Sequence, residues 1–319
     1  MAGKSGRVVK VSVGDFYAKH AGDLQLKLIA GAEGMGRVIT EGSVNRMGLA
    51  LTGFYKYFAH RRVQIIGMSE VAYLQSMAAD LKRKRMGEIF DLNIPCVIIS
   101  RDIRTPKFLL EVAEEHGVPI FVSPIKTMRL VNQVTICLED DFAPTTSEHG
   151  SMVDIQGVGV MIRGESGIGK SECVLGLIER GYSLVADDIT KFKLIEGREV
   201  VGESADLTRH YMEVRGLGIL NVASIFGASS IRFSKKLDLV VSLKEWDQAG
   251  EVDRTGLEQR FYEVLQIQIP HVIIPVRPGR DLAGLVEVAA LDQKLKSMGH
   301  YSALDFNQRL MNKMKERGQ

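Results

Sequence analysis

The sequence predicts an α/β protein of two domains, and three observations carry that prediction. The chain has 319 residues, about two domains at roughly 100 to 200 residues each. Through the first half, short β-branched runs alternate with segments of helical spacing, as in a small parallel sheet. In the second half a glycine-rich stretch ending in Lys170-Ser171 stands between an apolar strand and a helix, the setting of a phosphate-binding loop. Hydrophobic residues at 45% and charged residues at 25% suit a folded chain with a full core and exclude disorder. Lys+Arg 41 against Asp+Glu 39 leaves a net charge of +2, so bulk charge recommends no nucleic-acid partner. Cys96, Cys137 and Cys173 are too few and too scattered for a disulfide framework or a four-ligand zinc site, and they read as buried thiols of a reducing cytosol. No apolar run approaches the ~18 residues of a membrane span, and the N-terminus lacks the apolar segment of a secretory signal. The expected location is the cytoplasm, with no membrane partner.

In the first half, the run Arg-Val-Gln-Ile-Ile-Gly predicts a strand over 62–67. Ser69-Glu70 then opens a helix to about residue 85, with Val71, Leu74, Met77, Ala78 and Leu81 at helical spacing. A second cycle follows: a strand over 95–99, an N-cap at Thr105 with Pro106 at N1, a helix over 107–116, a stop at Gly117 and a strand over 119–122. The basic run from Lys82 to Arg85 falls at the expected helix end, where cations complement the dipole, and reads as a solvated face. Nothing in this half looks catalytic. From Glu139 to His149 the chain turns polar and loses periodicity, which places the domain joint just before it: 1–138 and 139–319.

In the second half, strands over 152–155 and 158–162 flank Gln156-Gly157, the two-residue spacing of a tight hairpin. The second strand runs into Gly164, Glu165, Ser166, Gly167, Ile168, Gly169, Lys170 and Ser171, which fits GxxxxGK[ST], and a helix over 172–180 follows. The glycines let main-chain N–H groups face phosphate oxygens at a helix N-terminus, Lys170 offsets phosphate charge, and the Ser171 hydroxyl can ligate Mg²⁺. A chance glycine-rich turn is the competing reading, and the Lys-Ser pair with both flanks in place argues against it. A strand over 182–186 ends at Asp187-Asp188, the edge where α/β sheets bind ligands. One carboxylate suits a metal and the other a proton from a nucleophile; a turn or helix cap is the ordinary alternative. Extending the hairpin register from Ile155 opposite Val158 puts His149 opposite Gly164, provided no bulge intervenes. The segment from Met212 to Ile219 combines Glu213 and Arg215 with two glycines, and Arg277, Gly279 and Arg280 form a proline-stiffened turn with two cations suited to phosphate oxygens. Taken alone, each is as readily a structural turn, and Arg254 is a weaker candidate still.

Together the phosphate loop, Asp187-Asp188, the run Met-Glu-Val-Arg-Gly-Leu-Gly-Ile-Leu-Asn-Val over 212–222 and the 275–280 turn resemble, in that order, the HPr kinase/phosphorylase family. The run Leu-Ala-Leu-Thr-Gly-Phe-Tyr-Lys-Tyr-Phe over 49–58 and the Val-Gln-Ile-Ile-Gly after it extend the resemblance over essentially the whole chain. The resemblance implies a bifunctional bacterial enzyme of carbon catabolite regulation. Such an enzyme phosphorylates a serine of HPr, the phosphocarrier of the sugar phosphotransferase system, with ATP or pyrophosphate and Mg²⁺, and removes that phosphate by phosphorolysis. It implies His149, Lys170, Asp188 and Arg254 as active-site residues, Ser171 and Glu213 as Mg²⁺ ligands, Gly164 to Ser171 as the nucleotide loop, and Arg277, Gly279 and Arg280 as a dephosphorylation loop. It also implies an N-terminal accessory α/β domain, a catalytic P-loop kinase domain similar to phosphoenolpyruvate carboxykinase, and a hexamer. On this reading Asp188 takes and returns the serine proton while His149 tunes its protonation. Two departures stand out: Asn45-Arg46-Met47-Gly48 replaces an arginine-proline-glycine turn, and Asp281 follows Arg280 where asparagine is usual, adding an anion near a phosphate-handling loop. The rival readings of the same loop are a carboxykinase-like small-molecule phosphotransferase and an ATP-binding regulatory switch.

Overall fold

The computed structural model of the chain describes residues 10–248 and 258–317; Arg254 lies outside the described residues. The chain divides into two compact units, Met1–Ala143 and Pro144–Gln319. The polar stretch expected to open the second domain is divided between them. Glu139, Asp140 and Asp141 belong to the last turn of a helix that runs to Phe142, because its buried stripe of Leu130, Val134 and Leu138 carries the helix through. His20 Nε2 meets Asp141 Oδ2 at 2.9 Å there.

The first unit is built on a five-stranded sheet of β1 (Lys27–Ala30), β2 (Val44–Arg46), β3 (Val63–Ile66), β4 (Val97–Ile99) and β5 (Ile120–Val122), in the order β1-β5-β4-β3-β2. Strands β2 to β5 are parallel, and β1 joins the β5 edge antiparallel. Three of these strands were expected from the sequence; β1 and β2 extend the sheet at either side. Helices α1 (Val13–His20) and α5 (Thr127–Phe142) cover one face, and α2 (Met68–Ser76), α3 (Ala79–Asp91) and α4 (Lys107–His116) the other. The single helix expected from Ser69 to about Arg85 is in fact two. Met77 and Ala78 are extended, with ψ of 152° and 147°, which lets α2 bury Val71 and Leu74 while α3 turns Met86, Ile89 and Phe90 inward. The basic run therefore lies inside α3 rather than at a helix end, and it is paired: Arg83 donates to Glu111 and Glu115, Arg85 to Glu88.

In the second unit, β6 (Thr145–His149), β7 (Ser151–Ile155), β8 (Val158–Arg163), β9 (Ser183–Ala186), β10 (Ile189–Ile195), β11 (Glu199–Glu203), β12 (Tyr211–Val214), β13 (Gly218–Asn221), β14 (Ser234–Lys236), β15 (Leu239–Glu245), β16 (Arg260–Val264) and β17 (Ile267–Val276) alternate with α6 (Lys170–Glu179) and α7 (Leu282–Ser297). Six strands form the main sheet in the order β9-β7-β8-β15-β17-β16. Strands β7 and β16 run against the others, so β9, β8, β15 and β17 all end at one edge. Helices α6 and α7 pack on one face around Val160, Ile162, Val174, Leu177 and Val286. A four-stranded sheet, β14-β11-β10-β6, covers the other face around Met152, Met161, Phe192 and Val240. Cys96 and Cys173 are buried, which pushes both thiols up to about 12; Cys137 is only half-buried, and all three are free. Among the described residues no helix is long and apolar enough to cross a membrane.

Candidate functional site

The edge where β9, β8, β15 and β17 end gathers nearly every residue singled out in the second half. Strand β8 stops at Arg163, the loop turns through Gly167 (φ 88°) and Gly169 (φ 101°), and α6 begins at Lys170. Both glycines hold left-handed backbone that a side chain would strain. Gly164 is required for another reason: a Cβ there would sit 2.7 Å from Leu243 O. Among the described residues, the main-chain N–H groups of Gly167, Gly169, Lys170 and Ser171 have no internal acceptor. Four such donors at a helix N-terminus make an anion cradle. Lys170 lies across its own loop, with Nζ donating to Gly164 O at 2.8 Å and Glu165 O at 2.9 Å, weak partners that a phosphate can replace.

On the far side of the intervening strand β7, β9 ends at Ala186 and the two aspartates divide their tasks. Asp187 is spent on architecture: Oδ1 accepts from Ser151 Oγ at 2.7 Å and Oδ2 from the Glu213 N–H at 3.0 Å. Asp188 takes left-handed backbone (φ 59°), a conformation aspartate tolerates. Its carboxylate is exposed and has no partner among the described residues.

His149 is placed near Asp188 in the backbone by a route the hairpin register did not predict. The pairing holds from Ile155 opposite Val158 to Ser151 opposite Ile162, but it ends there. The N–H of Gly150 donates to Asp188 O at 2.8 Å, the chain crosses to the four-stranded sheet, and His149 pairs with Ile189 instead of Gly164. Position 150 must lack a side chain for this crossing, since a Cβ would come within 2.9 Å of Ile162 O. The ring is thus attached beside Asp188 rather than beside the phosphate loop.

The β12–β13 hairpin closes over the loop. Glu213 is fixed through its main chain to Asp187 while its carboxylate stays exposed, and Arg215 Nη2 donates to Ser166 Oγ at 3.1 Å. Arg215 stood in the sequence only as part of the candidate 212–219 segment, with no role assigned to it; its place in a glutamate-arginine-glycine run was the available signal. Among the described residues no three His, Cys, Asp or Glu side chains cluster as a metal cage. Mg²⁺ asks for less, commonly one or two protein oxygens beside water and phosphate, and the half-buried Ser171 hydroxyl and the exposed Glu213 carboxylate are oxygens of the kind it takes.

Strand β17 ends at Val276 and leads into the two-arginine turn. The Arg277 guanidinium lies 3.4 Å from the centre of the Trp246 ring, at the end of neighbouring β15. Gly279 (φ 80°) lets the turn close, Arg280 N–H donates to Arg277 O, and Arg280 Nη1 donates to Pro275 O at 2.8 Å. Asp281, the anion the sequence added here, is committed to partners of its own chain. It caps α7 by accepting from the Gly284 N–H at 2.9 Å and pairs with Arg180 Nη2 at 2.7 Å, and both bonds hold its carboxyl below the usual range. A cavity of about 440 Å³ lies between α6 and this turn, lined by Gly169, Glu172, Gly176, Arg280 and Asp281 among others.

This edge can hold a polyphosphate on main-chain donors and Lys170, with an unspent carboxylate at the same edge. Comparison with known proteins points the same way. The family described as HPr Serine kinase C-terminal domain matches residues 140–310, and HPr Serine kinase N terminus matches residues 11–138. The HPr kinase/phosphorylase of Bacillus licheniformis is 42% identical over 286 residues, 90% of this chain and 92% of that protein. That of Geobacter sulfurreducens is 42% identical over 294 residues, 92% of each, and that of Bacillus subtilis 41% over 285 residues, 89% and 92%. The solved structure of the Hpr(Ser) kinase/phosphatase from Coxiella burnetii is 31% identical, covers 50% of this chain and 98% of its own, and superposes with a TM-score of 0.47.

Proposed function

The chain belongs to the HPr kinase/phosphorylase family and is a kinase/phosphorylase, and we propose that it transfers a phosphoryl group from ATP or pyrophosphate to a serine of HPr and removes it by phosphorolysis with inorganic phosphate. The observation that carries this reading is the pairing of an open four-donor cradle at Gly167 to Ser171 with the free carboxylate of Asp188 at the same sheet edge.

In the forward direction the cradle and Lys170 hold the phosphates. Asp188 accepts the proton of the attacking serine hydroxyl as the bond from phosphorus to the donor's bridging oxygen breaks. In reverse, inorganic phosphate attacks phosphoserine, Asp188 returns the proton to the departing serine oxygen, and pyrophosphate is released. His149, attached next to Asp188, sets that carboxylate's surroundings. Ser171 and Glu213 would hold Mg²⁺, whose charge offsets that of the transferred group. Arg277, Gly279 and Arg280 serve the reverse reaction, where two anions must be brought together, and Arg254 joins the site on the strength of the family resemblance alone. The remaining parts of the proposal are an accessory domain over 1–138, a catalytic domain over 139–319 similar to phosphoenolpyruvate carboxykinase, a hexameric assembly, a cytoplasmic location and a role in carbon catabolite regulation.

Radiolabelled ATP with purified HPr, followed by phosphoserine detection, tests the reading. Labelled HPr is expected. Phosphoryl transfer that requires oxaloacetate would identify a carboxykinase-like enzyme, and nucleotide binding without any transfer a regulatory switch.

A further inference from the structure

The chain contains a single tryptophan, and it stands at the same sheet edge as the phosphate loop. Glu245 of β15 lies opposite Val276 of β17, so Trp246 and Arg277 are the first residues beyond the ends of two neighbouring parallel strands. The guanidinium, 3.4 Å from the ring centre, covers one face of the indole. Trp246 is nevertheless 43% exposed, so part of the indole beyond the Arg277 contact stays open to solvent. A large aromatic plane steadied on one side and still partly open suits a stacking ligand, since part of the cost of ordering the ring is already met.

The distance is also suitable. Gly164 packs on Leu243, so the phosphate loop leaves the sheet beside a residue three positions before Trp246, roughly 10 Å along the strand. That is the order of the reach from the phosphates of a nucleotide to its base. We propose that Trp246, steadied by Arg277, is the platform on which the purine base stacks when the phosphates occupy the loop; the proposal rests on the kinase reading of that loop. Stacking recognises a π-face and tolerates different bases, so adenine and guanine nucleotides both gain from it. Pyrophosphate and other base-free polyphosphates do not, because the cradle that holds them is built from separate residues.

The test compares ATP with inorganic tripolyphosphate, each with Mg²⁺, by calorimetric titration of the full chain, its Trp246→Ala variant and its Trp246→Phe variant. Trp246→Ala is expected to weaken ATP binding about tenfold, the equivalent of about 1.4 kcal/mol and within what base–aromatic stacking supplies, while tripolyphosphate binding stays within about twofold. Trp246→Phe should recover most of the loss, and the fluorescence of the wild-type indole should change with ATP or GTP and not with tripolyphosphate. Equal losses for both ligands, or no loss for either, would overturn the platform. HPr labelling by the wild-type chain, run alongside, separates the two ideas. Labelling with equal losses removes the platform and leaves the kinase reading intact. A base-dependent loss without labelling removes the kinase reading and leaves the platform.

Discussion

Two sheet edges in this molecule have the same construction and opposite fates. In the first unit β2 to β5 run parallel and end at a common edge, where helices begin just as α6 does in the second. At the first edge the anion is built in. Glu70, only 5% exposed, accepts from the Gly67 N–H at the start of α2 at 2.9 Å and from Arg46 Nη2 at 2.6 Å. The neighbouring hydroxyls of Ser100 and Thr127 bond each other at 2.7 Å, and Gly67 packs so closely that a Cβ would touch Thr127 Oγ1 at 3.0 Å. At the second edge, among the described residues, four N–H groups have no internal acceptor, a lysine rests on carbonyls, and a carboxylate has no partner. A parallel sheet provides convergent helix N-termini wherever its strands end; whether that edge binds anything depends on whether the chain's own side chains have already filled it.

The sharpest way to break the comparison is to disable the open edge. Lys170→Ala should lower phosphoryl transfer about 1,000-fold, the scale on which one cation aimed at a transferring phosphoryl acts, with an unchanged melting temperature because the half-exposed side chain adds little to the core. Near-wild-type transfer by the folded variant would mean that the cradle is not catalytic. Asp188→Asn should cost about 100-fold in both directions while leaving nucleotide affinity intact, since an amide can neither take nor return the serine proton. Asp187→Asn should hurt less. Its two partners both donate, so an amide opposes one of them and loosens the placement of Glu213, but it removes no reacting group. A reversed ranking would move the base to Asp187.

What could be read in advance follows the range of the interactions involved. The tight turn at Gln156-Gly157, the helix stop at Gly117 (φ 55°) and the GxxxxGKS loop are decided within a few residues, and each was legible. His149 was misplaced because its partner is Ile189, far along the chain, and nothing near His149 announces that a strand leaves one sheet for another at Gly150. The break of the long helix at Met77 and Ala78 likewise reflects two helical faces meeting one core rather than any strong helix breaker. Strands β1 and β2 join the sheet by pairing alone, and the Trp246–Arg277 stack needs two strand ends to become neighbours.

A smaller effect sharpens the comparison within the open edge. Arg277 is held on Trp246, whereas Arg280 commits one guanidinium nitrogen to Pro275 O and has others to offer. Arg280→Ala should lower phosphate-dependent release from phospho-HPr about tenfold, equivalent to about 1.4 kcal/mol of transition-state stabilisation, and lower the kinase rate less. Both rates are to be measured on one preparation with saturating Mg²⁺. Equal losses would make the turn a general structural element, and an unchanged phosphorolysis rate would remove Arg280 from the site.

The smallest expected effect on chemistry comes from the closed edge, and it tests the comparison from the other side. Glu70 spends both carboxylate oxygens on donors of its own chain, one of them the main-chain N–H of a buried helix start. Glu70→Gln keeps the shape but turns an N–H₂ group toward one of those donors and removes the charge that Arg46 faces. Burial of a mismatched donor pair costs about 1 to 3 kcal/mol. Arg46 is 44% exposed, so solvent screens its share of the loss and the lower part of that range applies. Urea unfolding should therefore show a destabilisation of about 1 to 2 kcal/mol, while phosphoryl transfer per folded molecule stays at the wild-type rate. A variant that folds with wild-type stability would show that the built-in anion contributes nothing to holding this edge. A variant that loses transfer at unchanged stability would mean that the closed edge takes part in the chemistry, and the division of labour between the two sheets would fail.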